Sequence, residues 1–123
     1  MEVKVAVVGL GRVGAEFLEE LLEFADKGVE IVCAAEPYDT PGKALALEKG
    51  VRVGTVDDIL ALGDEVDIIF ELTGSKSVRR MIREGLGTAH NEHTTLVPEI
   101  MARLIRVMTT DSELPEVHKD VGY

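Results

Sequence analysis

Three glycines near the amino terminus stand at G-x-G-x-x-G spacing in the run Gly9-Leu10-Gly11-Arg12-Val13-Gly14. Where a strand turns into a helix, the first such glycine makes the tight turn and the second lets a ligand approach the backbone. The third lets helix and strand pack closely. The unpaired N–H groups of the first helical turn and the positive end of the helix dipole then face whatever sits on the turn, which suits phosphate. The spacing by itself is weak evidence, but a carboxylate strengthens it. Glu36 stands 22 residues past Gly14, where such turns are complemented by an acid that accepts hydrogen bonds from an adenosine ribose. Turn and acid together predict a bound dinucleotide, NAD in preference to NADP, because a carboxylate there repels an extra ribose phosphate. Arg12 and Lys43 keep NADP open. The competing reading is a turn that needs glycine for steric reasons alone, with Glu36 a solvated loop acid.

These residues do their work only if a strand precedes the turn and a helix follows it. Val3–Val8 is a nearly continuous β-branched run, as a strand covered on both faces requires. Over residues 13–25 the apolar positions Val13, Phe17, Leu18, Leu21, Leu22 and Ala25 recur at helical spacing, with Glu16, Glu19, Glu20 and Glu23 on the other face. Gly28 closes this helix, and a second strand, Val29–Ala35, leads to Glu36. Pro41 suits the first position of a helix running to Gly50. A short third strand follows over residues 51–55, then one or two helical turns capped by Asp57, and a fourth buried strand over residues 66–73 ending at Gly74. The next helix is capped by Ser75 or Ser77, buries Val78, Met81 and Ile82, and turns Arg79, Arg80 and Arg83 outward before a loop over residues 85–92. A fifth strand spans residues 93–97, and Pro98 opens a last helix to Met108. The expected domain is residues 1–108, with residues 109–123 a polar tail.

Strands alternating with helices through short loops indicate parallel βαβ units. The expected class is therefore α/β, a Rossmann-type doubly wound parallel sheet of about five strands with helices on both faces.

Composition narrows the partners. Asp and Glu outnumber Lys and Arg by 23 to 13, for a net charge of −10, which repels nucleic acid and anionic lipid. No apolar run reaches the ~20 residues of a membrane span, and the amino terminus enters a strand without a secretion signal, so a cytoplasmic location is expected. Cys33 is the lone cysteine and sits mid-strand, where a buried inert thiol is expected. His90, Glu92 and His93 share a loop without a third well-spaced ligand and read as a polar turn; no metal is expected. The last helix carries Ile100, Met101, Leu104, Ile105, Val107 and Met108, too broad an apolar surface for a solvated helix. A homodimer through this helix and the open edge of the fifth strand is expected.

Two segments carry a family likeness: Val-Gly-Leu-Gly-Arg-Val-Gly ending at Gly14, and Asp-Ile-Ile-Phe-Glu-Leu-Thr-Gly ending at Gly74. They resemble the amino-terminal NAD(P)-binding domain of homoserine dehydrogenase and its relatives, aspartate dehydrogenase and dihydrodipicolinate reductase. The resemblance implies that Gly9, Gly11, Arg12, Val13 and Gly14 surround a pyrophosphate and that Glu36 meets the adenosine ribose. It further implies that Leu72, Thr73 and Gly74 lie along the nicotinamide half, and that Leu96, Val97 and Pro98 mark the inner edge of the cleft. The family's substrate domain, with its catalytic lysine and aspartate, has no counterpart in this sequence. Binding is thus better supported than turnover. The expected function is an NAD-binding module, nucleotide-responsive or the cofactor half of an assembly. The alternatives are a split oxidoreductase whose substrate site comes from a partner or dimer mate, and an interaction protein with a lost or altered nucleotide site.

Overall fold

The computed structural model describes residues 2–109; the expected tail over residues 110–123 lies outside them. The strands are β1 (Val3–Val8), β2 (Val29–Ala35), β3 (Val53–Gly54), β4 (Ile68–Glu71) and β5 (Thr95–Pro98), and the helices α1 (Arg12–Leu22), α2 (Pro41–Glu48), α3 (Val56–Ala61), α4 (Lys76–Thr88) and α5 (Glu99–Thr109). All five strands are parallel, in the order β3-β2-β1-β4-β5. The chain therefore builds outward from β1 through β2 to β3, then returns to build outward on the other side. The topological switch falls between β1 and β4.

Strand periodicity divides the core. Val5 and Val7 of β1 pack with Val13, Phe17, Leu18 and Leu21 of α1, Ala46 of α2 and Ala102 of α5. Ala6 and Val8, pointing the other way, pack with Ile59 of α3 and Ile82 of α4. Both faces of the sheet are covered, as its nearly unbroken apolar strands demand. Phe17 and Phe70 meet edge to face at 4.7 Å in the middle of the first cluster.

Several boundaries differ from expectation, each for a local reason. β5 begins at Thr95, because the Asn91 side chain accepts the N–H groups of His93 and Thr94 and holds both in a turn. Pro98 stays in the strand opposite Glu71, so the last helix starts at Glu99. α3 is capped by Thr55, not Asp57: Thr55 and Asp58 exchange hydrogen bonds in a capping box. α4 runs on through Gly85 to Thr88, where a loop is expected. A Cβ at Gly85 would stand 2.4 Å from Leu60 Cδ1, so glycine here serves close helix packing. Gly28, with φ of 96°, closes the short 3-10 turn after α1, and Pro41 opens α2 behind the Thr40 cap.

Candidate functional site

At the switch point the carboxyl ends of the strands leave a cleft of about 1010 Å³. The glycine turn forms its floor. Gly9 has φ of +102°, and a Cβ there would press within 3.0 Å of Leu72 and Thr73. A Cβ on Gly14 would lie 1.9 Å from the Gly9 carbonyl oxygen, so this glycine sits behind the cleft and serves packing. Gly11 differs from both. Its backbone is ordinary extended chain, and a Cβ would meet nothing within 4 Å. The space above Gly11 is open and belongs to the cleft.

α1 starts on that open space. Thr40, Thr55 and Ser75 cap α2, α3 and α4 with side-chain oxygens, whereas Gly11 offers α1 no side-chain cap and the first turn holds no acid. The first-turn N–H groups and the positive dipole end are left facing the cleft.

Glu36, at the end of β2, bends back onto the turn. One carboxylate oxygen accepts the Leu10 N–H at 2.8 Å and the other the Tyr38 N–H at 3.1 Å. Two backbone donors thus fix the carboxylate's direction while leaving it acceptor capacity. The Thr40 hydroxyl donates to the Leu10 carbonyl at 2.8 Å, and a Cβ at Gly42 would stand 2.3 Å from the same oxygen. The start of α2 is therefore locked onto the glycine turn, which brings Lys43 to the cleft wall; its Nζ lies 3.9 Å from Asp39.

The opposite wall is the β4–α4 connection, and it rests on a buried charge. Glu71, fully buried, accepts the Thr73 N–H at 2.7 Å and a short hydrogen bond from the Thr73 hydroxyl, and its other oxygen lies 3.6 Å from Arg79 Nε. The Thr73 hydroxyl in turn accepts the Ser75 N–H at 2.9 Å. Arg79 is 3% exposed and is no part of a solvated basic face. The expectation that Arg79 points outward is corrected, and so is that for Glu20, which is buried and lies 3.7 Å from Arg106. The apolar period marked the buried stripe of α1 and, in α4, Ile82 but not Met81; it does not record that a charged neighbour is drawn in by a buried partner.

Of the expected site residues, Gly9, Gly11, Arg12, Val13, Glu36, Leu72 and Thr73 line one cleft. Gly14 supports it from behind, and Gly74, with φ of 72°, shapes the next turn without lining it. Leu96, Val97 and Pro98 are not among the lining residues. Sequence reasoning missed Pro37, Tyr38, the Val53–Gly54 strand with the following Thr55, Val56 and Asp57, and also Val78 and Met81. Met81, expected in the core, is 45% exposed at the cleft. The signal that could have found these residues was topological: β3 lies beside β2, so its carboxyl end opens on the same crevice.

Cys33 is buried, and burial pushes its thiol above the usual range, which suits an inert core residue. Among the described residues no three His, Cys, Asp or Glu side chains gather as a metal site. The His93 ring instead meets Asp67 at 2.6 Å. No described helix is long and apolar enough to cross a membrane.

An open parallel sheet with this order, a glycine turn after β1 and a cleft at the switch point define a Rossmann-type α/β domain. Neither a family model nor a curated protein matches the sequence. Among solved structures, the chain resembles part of homoserine dehydrogenase from Thiobacillus denitrificans, with 29% identity and a TM-score of 0.51 over 78% of this chain and 23% of that one. It is also similar to a putative myo-inositol dehydrogenase from Sinorhizobium meliloti (21% identity, TM-score 0.60, 91% of this chain and 35% of that one). GenD2 of gentamicin A biosynthesis, solved with NAD, gives 24% identity and a TM-score of 0.57 over 79% of this chain and 34% of that one. The chain spans between about a quarter and a third of the length of these three proteins.

Proposed function

We propose that this chain is a cytoplasmic NAD-binding module that acts in response to nucleotide or as the cofactor half of an assembly. The observation that carries the reading is the uncapped amino end of α1 opening onto the empty space above Gly11, beside a carboxylate already held by two backbone donors. The first-turn N–H groups of α1, with Arg12 beside them, would receive a pyrophosphate. Glu36 would accept ribose hydroxyls, and Leu72 and Thr73 would border the nicotinamide half. The cleft's volume is at the upper end of ordinary ligand sites, as a dinucleotide requires. A bound nicotinamide supplies hydride transfer; this chain's own residues bind, orient and shelter.

NAD is preferred to NADP in this reading because a fixed carboxylate at Glu36 repels a ribose phosphate, and Lys43, the nearby cation, is drawn toward Asp39. A split oxidoreductase, with its substrate site supplied by a partner or dimer mate, is the second reading, supported by similarity to a homoserine dehydrogenase and a putative myo-inositol dehydrogenase.

A thermal-shift panel with NAD, NADH, NADP, NADPH and AMP tests the proposal. Ligand at a hundred times its dissociation constant stabilises by about 2.7 kcal/mol, a shift of several degrees at this size. No shift with any dinucleotide would end the reading. Glu36→Ala is expected to narrow the gap between NAD and NADP; an unchanged gap would remove Glu36 from the ribose site. Oxidation of reduced cofactor by the pure chain with candidate oxo-acids would favour the enzyme reading instead.

A further inference from the structure

α5 is apolar on two sides. Ala102 and Ile105 face the core, where Glu99 is also buried and Arg106 lies against Glu20. The outer side exposes Ile100, Met101, Leu104, Val107 and Met108 at 51, 37, 50, 55 and 75%. Their positions are symmetric about Leu104: Ile100 and Met108 stand four residues to either side, Met101 and Val107 three. A two-fold axis at Leu104 would therefore set two such helices antiparallel, with Leu104 on Leu104, Ile100 on Met108 and Met101 on Val107. That is the self-complementarity an isologous contact requires. Ile100, Leu104 and Val107 also follow the four-three spacing of a coiled-coil seam.

Charge points to the same occupant. Two copies of a chain with net charge −10 repel over most of their surfaces, yet none of the 23 acids falls between Ile100 and Met108. We propose that the outer face of α5 is the contact between two copies of this chain, related by a two-fold axis at Leu104.

The helix would carry this contact without the sheet edge, since β5 offers a free edge of only four residues. Five side chains supply on the order of 500 Å² per copy, as on functional apolar patches and below the ~800 Å² per partner of a long-lived interface. The dimer should therefore dissociate on dilution.

Sedimentation velocity of the full chain, from low micromolar to hundreds of micromolar, should show the mass rising from 13.4 kDa toward twice that value. A mass of one chain at every concentration would overturn the proposal, whether residues 110–123 or nothing covers the helix. Leu104→Arg, with an unchanged circular dichroism spectrum, should give monomer throughout. The register has its own test: Met101→Glu and Val107→Lys should each be monomeric alone. Mixed in equal amounts they should associate again, because the new carboxylate faces the new ammonium across the axis. Single variants that still dimerise, or a mixture that stays monomeric, would refute the two-fold register. Neither readout involves a nucleotide, so failure here and failure of the binding reading are separable.

Discussion

Gly11 and Gly14 belong to the same motif yet should fail differently when replaced. Gly11→Ala adds a methyl group into open cleft space on a backbone that alanine adopts freely, so stability should stay within about 0.5 kcal/mol. The thermal shift proposed for NAD should nevertheless collapse, because the methyl group would occupy the place proposed for the phosphates. Gly14→Ala drives its Cβ against the Gly9 carbonyl and should cost at least ~3 kcal/mol in urea unfolding. Equal loss of stability in both variants would show that the motif serves the turn alone. Glu71 is the other residue with a distinct expectation. Glu71→Ala takes away a buried carboxylate that lies beside Arg79 and holds Thr73, and should destabilise by ~3–5 kcal/mol.

At the scale of elements, two carboxylates tie strand and helix ends together. The Lys4 N–H first, and the His93 ring second, hold Asp67 below its ordinary value of 3.8, stitching β1 to the entries of β4 and β5. The N–H and hydroxyl of Thr55 do the same for Asp58 at the head of α3. A carboxyl group whose folded pKa is depressed stabilises fully above its unfolded value, and that contribution is lost as pH falls below about 3.8 through the lower folded value. Unfolding curves between neutral pH and pH 2 should therefore show stability falling below about pH 3.8, a loss that Asp67→Asn reduces; an unaltered loss would assign acid lability elsewhere. Thr55→Ala, which removes the cap of α3, should cost about 1 kcal/mol at neutral pH, read by urea titration.

For the whole molecule, the sheet carries a core cluster on each face among the described residues. Phe17 lies fully buried in the core that joins α1, the floor of the cleft, to the strands, and Phe17→Ala should cost ~3–5 kcal/mol. That is a large share of the ~5–15 kcal/mol available to a domain of this size, so the variant should melt well below the parent chain while a bound dinucleotide still raises its midpoint. NAD binding and α5 pairing should by contrast be separable, since the five stripe residues are absent from the cleft lining.

The strand–turn–helix over the first two dozen residues was legible in the sequence because its signals are local: a β-branched run, glycines at steric positions and an apolar stripe of helical period. The Pro41 start is local for the same reason, whereas the helix expected to run to Gly28 ends at Leu22, and Gly28 closes a separate short turn. Glu36 was found by its distance from the turn, but of its two backbone donors only Tyr38 is local; Leu10 comes from 26 residues away, in a segment the sequence does not connect to it. Arg79 and Glu20 were misread because periodicity records only which stripe is apolar; a charge enters the interior when a partner from another element meets it there. The β3 end, Val78 and Met81 joined the cleft only when the order β3-β2-β1-β4-β5 placed them side by side. The sequence by itself therefore determined the elements in outline, the glycine turn and the class of fold. Tertiary structure alone decided which distant side chains share a cleft, which charges are buried and which face of α5 remains open, because those depend on contacts between residues far apart in the chain.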